Sequence, residues 1–390
     1  MRLERVSNIN EAMRGIDPDN IGYRIMKDKT QILAFKISNL KLQAMQILKQ
    51  DALSNGAELV TPKHAALCRE EEYDCLLFGT PKALKNLSTK MQMQPFGLKT
   101  IAQEIQIFLH KQKDYGRKIM GIINVDSKSF YQEFNSEQAL QQIHKYIELG
   151  IDIIDIGAAS TRPGAEYVES EIEIKRLSSI FSEIKNINCQ TKFSIDTYNE
   201  KTAQKALECG FSIINDISGK PETMINTLKS NQHASYILTH IQGTPLNMQS
   251  NCNYNNVILD IDTFFTEKIQ YLMEHNCENI ILDVGIGFAK DMQQNIALIT
   301  QLSHFKHFNL PLLIGASHKS FLTKILESST NGKKILSENL QNKAGLPATL
   351  ITHYLAWQNG ANIIRVHDVK SHLEMLHIIE SLHSIDIDIL

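Results

Sequence analysis

From Lys118 onward the chain alternates between two kinds of segment. Short, continuous apolar runs lie at Ile119–Val125, Ile151–Gly157, Lys192–Asp196, Ser212–Asp216, Tyr236–His240, Asn279–Val284, Pro311–Ala316 and Asn362–His367. Stretches of helical periodicity separate them, at Ser136–Leu149, Glu169–Lys185, Glu200–Glu208, Asn256–His275, Met292–Leu302 and Lys343–Gln358. A strand with one solvated face would alternate polar and apolar residues. These runs do not alternate, which predicts parallel strands covered on both faces. Gly150, Gly210 and Gly360 supply helix stops just before the next strand. Eight βα repeats in about 270 residues are the arithmetic of a TIM (β/α)8 barrel, a fold of roughly 250 residues. The rival is a doubly wound open sheet, but no Gly-x-Gly-x-x-Gly turn follows the first strand.

Residues 1–115 read differently. Ile32–Ile37 and Leu76–Phe78 are predicted strands, and Lys41–Asn55, Lys82–Met91 and Lys99–Lys111 are predicted helices. The expected fold class is therefore α/β, with a small N-terminal α/β lobe over residues 1–115 and the barrel over residues 116–390. The polar stretch Lys111–Arg117 is the expected boundary. The lobe carries no catalytic motif. Gly79-Thr80-Pro81, after a predicted strand, reads as a plain turn.

In a βα barrel the chemistry sits at the carboxyl ends of the strands. Taken in order, those ends carry Asn124, then Gly157 followed by Ser160-Thr161-Arg162-Pro163-Gly164, then Asp196, Asn215-Asp216 and His240. The sixth to eighth carry Asp283, Ser317-His318-Lys319-Ser320 and Arg365-Val366-His367-Asp368. A single polar tip is explained by a cap or a turn, and Asp216 before Ser218-Gly219 reads that way. A polar group at every tip is not. Asp196, Asn215, Asp283 and Lys319 offer acceptors and donors that can grip the edge of a flat, guanidine-like heterocycle. Arg162, Arg365, His367 and Asn124 fall on the first, second and eighth strands, which are neighbours in a closed barrel. That cluster suits a diphosphate with Mg²⁺, an ion that prefers oxygen ligands shared with phosphate.

Composition narrows the partners. A net charge of -3 leaves no global basic field for nucleic acid or anionic lipid. No apolar run approaches a membrane span, and Met1-Arg2-Leu3-Glu4-Arg5 lacks the apolar core of a secretion signal. A cytoplasmic protein is expected. Six cysteines without a CxxC pair read as reduced structural thiols. His304 and His307, three apart on a predicted helix, have a spacing that could meet a metal but read as exposed helix surface, and Met91 and Met93 as packed residues flanking a loop.

The strand-end segments resemble those of dihydropteroate synthases, the folate-pathway members of the pterin-binding barrels. The resemblance rests on Met120–Val125, Ser160–Gly164, Asp196-Thr197-Tyr198, Ile214–Gly219, Leu282–Phe288, Ser317–Ser320 and Arg365–Asp368, which occur in the family's order through roughly residues 118–384. It implies condensation of 6-hydroxymethyl-7,8-dihydropterin diphosphate with 4-aminobenzoate, releasing diphosphate. By the family's pattern Asp196, Asn215, Asp283 and Lys319 hold the pterin. Asn124, as metal ligand, with Arg162, Arg365 and His367 would hold the diphosphate and its Mg²⁺. Thr161, Pro163, Phe288 and Ser320 would form the aminobenzoate slot. Asp196, Asp283, Lys319, Arg365 and His367 are the implied catalytic set. Homodimers paired through barrel helices are the family's habit, so a homodimer is expected.

The sequence also departs from the pattern. The first loop reads Asp126-Ser127-Lys128-Ser129-Phe130-Tyr131, with Lys128 where the family has an aspartate, and Asp126 as a candidate substitute. His318 replaces an arginine before the strand-seven lysine, and Gln242 replaces another after strand five. The lobe is the larger departure. The resemblance to long members with such a lobe implies an added flavin-dependent dihydropteroate reductase activity, with FMN as cofactor, although residues 1–115 show no nucleotide fingerprint. Two rival functions share the pterin edge. A methyltetrahydrofolate-binding methyltransferase needs no diphosphate pocket, and Arg162, Arg365 and His367 argue against it. A non-catalytic pterin-binding protein draws its support from Lys128.

Overall fold

The eight apolar runs close into a parallel barrel. The computed structural model describes residues 3, 5–6, 9–125, 136–159, 167–243, 252–338 and 343–383. The chain divides into two compact units, Met1–Gln112 with Ser381–Leu390, and Lys113–Glu380.

The first unit contains α1 (Ile9–Gly15), α2 (Asn20–Lys27), β1 (Leu33–Lys41), α3 (Leu42–Ser54), β2 (Ala57–Val60), β3 (Glu72–Gly79), α4 (Pro81–Met91) and α5 (Leu98–Leu109). β3 is the middle strand of an antiparallel sheet ordered β1-β3-β2. Its residues alternate in burial, so Tyr73, Cys75 and Leu77 join Leu48 of α3 and Leu84, Leu87 and Met91 of α4 in one core. Met93 does not pack; it is exposed. Thr80 caps α4, its Oγ1 accepting the Ala83 N–H at 3.2 Å, and Pro81 occupies the first turn. Gly79-Thr80-Pro81 is thus a helix start.

The second unit runs β4 (Lys118–Asn124), α6 (Ser136–Glu148), β5 (Ile153–Gly157), α7 (Ser170–Ile184), β6 (Lys192–Asp196), α8 (Glu200–Glu208), β7 (Ile213–Asp216), α9 (Ile225–Ser230) and β8 (Ser235–Thr239). It continues with α10 (Val257–Glu274), β9 (Ile280–Asp283), α11 (Met292–Thr300), β10 (Leu312–Ile314), α12 (Ser320–Glu327), α13 (Thr330–Glu338), α14 (Leu346–Gln358), β11 (Ile363–Val366) and α15 (Val369–His383). The strands β4 to β11 are hydrogen-bonded in sequence order, and β11 closes on β4. α14 starts later than its sequence pattern predicts, at Leu346-Pro347, where proline is tolerated in a first turn.

The two-residue period of a strand sorts each run onto two faces. Ile119, Ile123, Ile154, Ile156, Phe193, Ile195, Ile214, Leu238 and Leu282 pack outward in the large core shared with the helices. Met120, Ile153, Ile213, Ile237, Ile281, Leu313 and Ile363 form a separate buried cluster. Set by parity on the opposite face of each strand, they fill the barrel interior.

The helix predicted to Leu302 stops at Thr300, and a 3₁₀ turn, Leu302–Phe308, follows. It holds His304 and His307, which are half-buried against Asp262 of α10 rather than exposed helix surface. Their i, i+3 spacing, which eclipses side chains in a 3₁₀ helix, explains the difference. Among the described residues, no helix is long and apolar enough to cross a membrane.

Candidate active site at the carboxyl ends of the strands

One step of two residues beyond the apolar interior layer, the same faces of the strands carry Asp155, Asn215, Thr239, Asp283 and Arg365, with Ser194 and Asp196 on β6. Apolar filling below and polar groups above follow from parity alone. At the mouth the strands are in register, Asn124 beside Gly157, Gly157 beside Asp196, and Asp196 beside Asn215. Asn124 is half-buried there, as the sequence places it.

The centre of the layer is an ion-pair network. Arg365 Nε donates to Asp155 Oδ2 at 2.6 Å, and its Nη2 donates to Asp196 Oδ2. Asn215 Nδ2 donates to the same Asp155 oxygen at 3.0 Å. The other oxygens, Asp155 Oδ1 and Asp196 Oδ1, are buried without a donor among the described residues. A buried acceptor left unpaired costs about 1–3 kcal/mol, so a ligand bearing N–H groups would be favoured at this spot. Burial pushes the Asp196 carboxyl up to about 7; Arg365 opposes that, while Asp155 and Glu173 reinforce it.

Asp155 escapes sequence inspection because it reads only as an interruption of Ile153-Ile154-Asp155-Ile156. Its signal is parity: it lies two residues from Ile153, on the inner face. Arg365, expected with the diphosphate group, donates to Asp155 and Asp196 on the heterocycle side.

Asp283 ends β9 and accepts the Gly285 N–H at 2.8 Å. Gly285 has φ +69°, and a Cβ there would lie 2.0 Å from the His240 carbonyl oxygen. Only glycine permits this turn, which fixes Asp283. Burial raises the Asp283 carboxyl, partly offset by that N–H and by Lys319 and Arg365. Lys319 lies across from it with Nζ 4.3 Å from the Phe288 ring centroid. Burial pulls the Lys319 ammonium down to about 8, although Asp283 holds the proton on. Phe288 is buried with Ile217, Ile241 and Ala289, and Ser320 is exposed at the start of α12. His367 follows β11, and its Nδ1 lies 3.0 Å from Ser317 Oγ.

Behind Asp283, Lys290 is buried with Nζ 3.0 Å from His240 Nδ1 and 2.9 Å from the Phe288 carbonyl. Burial pulls the lysine down to about 7, opposed by Asp283 and reinforced by Lys319, and pulls the imidazole down to about 2, reinforced by the charge of Lys290. Lys290 gives no sequence signal beyond standing after Phe288-Ala289. Asp216 is the turn residue expected, accepting the Ser218 N–H at 2.7 Å. Thr161, Arg162 and Pro163 lie outside the described residues, as do Asp126 and Lys128.

The mouth therefore brings together Asp196, Asn215, Asp283, Lys319 and Arg365, with Asn124, Phe288, Ser320 and His367 on the surrounding strand ends. A barrel whose inner carboxylates await N–H donors beside a guanidinium is a pterin-binding barrel in outline, and residues 120–367 match the family model described as pterin binding enzyme. A bifunctional dihydropteroate synthase/dihydropteroate reductase of Helicobacter pylori is 40% identical over 383 residues, 97% of either chain. The dihydropteroate synthase of Synechocystis is 36% identical, covering 69% of this chain and 92% of its own. Among solved structures, Yersinia pestis dihydropteroate synthase in complex with a sulfonamide drug superposes with TM-score 0.61 at 30% identity, over 70% of this chain and 96% of that one. The Burkholderia cenocepacia enzyme complexed with 7,8-dihydropteroate gives 0.56 at 27% identity, over 69% and 92%. The chain belongs to the dihydropteroate synthases, transferases of folate biosynthesis.

Proposed function

We propose that the barrel condenses 6-hydroxymethyl-7,8-dihydropterin diphosphate with 4-aminobenzoate to give 7,8-dihydropteroate and diphosphate. The observation that carries this reading is the pair of buried carboxylate oxygens, on Asp155 and Asp196, lacking donors among the described residues, beside Asn215, Asp283 and Lys319. A pterin edge supplies N–H donors to carboxylates and accepts from Asn215 and Lys319. Cleavage of the methylene C–O bond leaves positive charge on the pterin, and Asp196 and Asp283 stabilise it from fixed positions. Arg365 and His367 stabilise the departing diphosphate. The neutral arylamine then attacks the methylene carbon, seated between Phe288 and Ser320, with Thr161, Arg162 and Pro163 completing the substrate contacts.

Asn124 offers a hard carboxamide oxygen at the mouth, and Mg²⁺ is suited to one or two protein oxygens plus substrate phosphates. The donor set fits that ion, which when bound supplies Lewis-acid neutralisation of the diphosphate. Small-molecule substrates, a cytoplasmic location and a homodimer complete the reading. Purified chain given both substrates is expected to release one diphosphate per dihydropteroate formed. Tight pterin binding without release would overturn the reading in favour of a non-catalytic pterin protein, and methyl transfer from methyltetrahydrofolate would favour the methyltransferase.

A second activity, reduction of dihydropteroate, is favoured by one observation. The likeness to the Helicobacter pylori protein extends through the N-terminal unit, covering 97% of both chains. The start of α4 in that unit is no flavin-phosphate cradle, since Thr80 and Pro81 cap it and no glycine-rich turn precedes it. No step is therefore assigned to FMN. Reductase assays of the full chain and of residues 113–390 test the activity. Reduction by the full chain alone supports it, and no reduction by either, with no flavin released on denaturation, removes it.

A further inference from the structure

Away from the barrel mouth, three side chains converge whose donor atoms all lie within 4.8 Å of one another: Asp262 of α10, and His304 and His307 of the Leu302–Phe308 turn. Both imidazoles turn Nε2 toward the same carboxylate oxygen, Asp262 Oδ2, at 3.0 Å from His304 and 2.5 Å from His307. We propose that these three groups bind one zinc ion, with water as the fourth ligand.

The cluster is built from beneath. In a 3₁₀ helix residues i and i+3 eclipse, so His304 and His307 project on the same side. The intervening aromatics hold them. Phe305 and Phe308 pack edge-on to Phe265, one helical turn beyond Asp262 on α10. The His304 ring contacts Phe305 and the His307 ring contacts Phe308, with centroids 5.3 Å and 4.0 Å apart. The imidazoles stand at 76° to each other with centroids 5.4 Å apart. The polar ends meet at a partly open surface, the three side chains being 13–23% exposed, which leaves a path for a metal and a water.

The chemistry selects the ion. Two imidazole nitrogens and one carboxylate oxygen suit zinc, whereas Mg²⁺ and Ca²⁺ favour oxygen sets. Tetrahedral zinc with bonds near 2.0–2.1 Å places its donor atoms about 3.3 Å apart. The two His–Asp distances are shorter than that and all three donor atoms lie within 4.8 Å of one another, so rotations of the side chains by about an ångström would admit the ion. The ion would replace the hydrogen bonds to Asp262 and join α10 to the turn after α11.

The test uses the full chain, stripped with chelator, and zinc chloride as probe. Calorimetry should give one more zinc equivalent in wild type than in the H304A/H307A variant, which retains the chain's other histidines. Zinc should raise the melting temperature of the wild type by more than it raises that of the variant, and synthase turnover should be equal in both. Cobalt(II) in the wild-type protein should give the visible bands of a four-coordinate site with nitrogen and oxygen ligands. Because the double variant can misfold, D262N is measured too, with affinity expected to fall roughly tenfold or more. Equal zinc stoichiometry in wild type and H304A/H307A, wild-type zinc affinity in D262N, or no zinc bound by wild type overturns the proposal.

Discussion

His353 Nδ1 lies 2.8 Å from His372 Nε2, and the outer hydrogen bonds of the pair fix which nitrogen carries each proton. The Ala316 N–H donates to His353 Nε2 at 3.1 Å, so that nitrogen accepts. His372 Nδ1 donates to the Asp368 carbonyl. His353 Nδ1–H therefore donates to His372 Nε2. Both imidazoles are neutral and buried, each held below its ordinary range chiefly by burial. The line connects the loop after β10 to the loop after β11, next to Ser317 and His367. His353→Phe strands an N–H and a ring nitrogen, and stability should fall by about 1–3 kcal/mol in urea unfolding. The KM for pterin diphosphate should rise as well; unchanged kinetics would confine the pair to folding.

Asp155 sits against Asp196 and helps to keep its proton on. Removing that like charge in Asp155→Asn should lower the Asp196 pKa from about 7. The acid limb of the kcat/KM profile, which rises as Asp196 ionises, should then move to lower pH. An unmoved limb would mean that another group controls it.

Asp283→Asn removes the carboxylate that holds the Lys319 proton on. Turnover should drop about 10²–10³-fold if a transition-state charge partner is lost. The alkaline limb, set by Lys319 near 8, should shift downward because only burial and Arg365 then dominate. Near-normal kinetics would exclude the pterin-anchoring role.

Lys290 titrates near 7 in the folded chain against an ordinary 10.5, so folding disfavours its charged form. Its penalty is full below about 7 and disappears as pH rises past the unfolded value. The stability of wild type relative to Lys290→Met should therefore increase between pH 7 and 10, measured as the difference in urea midpoints. A constant difference would show that Lys290 does not change protonation on folding.

The barrel is legible in the sequence because buried parallel strands write themselves as unbroken apolar runs, and each tip then falls at a fixed place. β2 escapes notice since Ala57-Glu58-Leu59-Val60 has four residues and one buried face. Asp155 is hidden by the rule that finds its strand, where a charge in an apolar run looks like a boundary. His353 and His372 carry no spacing signal, because only the packing of α14 on α15 brings them together. Asp196, Asn215, Asp283 and Arg365 are readable since strand register alone delivers them to one mouth, and Lys319 follows β10 at the cap of α12. The pairing of Arg365 with Asp155 depends on side-chain reach across the barrel, which no linear pattern records.

The seven apolar side chains from Met120 to Ile363 stopper the barrel axis below the polar layer. They separate the mouth from a second cavity at the amino ends of the strands, lined by Lys118, Asp152, Thr191 and Asn279. Dihydropteroate made at the mouth must depart through that mouth, and any second enzyme acting on it receives it from outside, never along the axis.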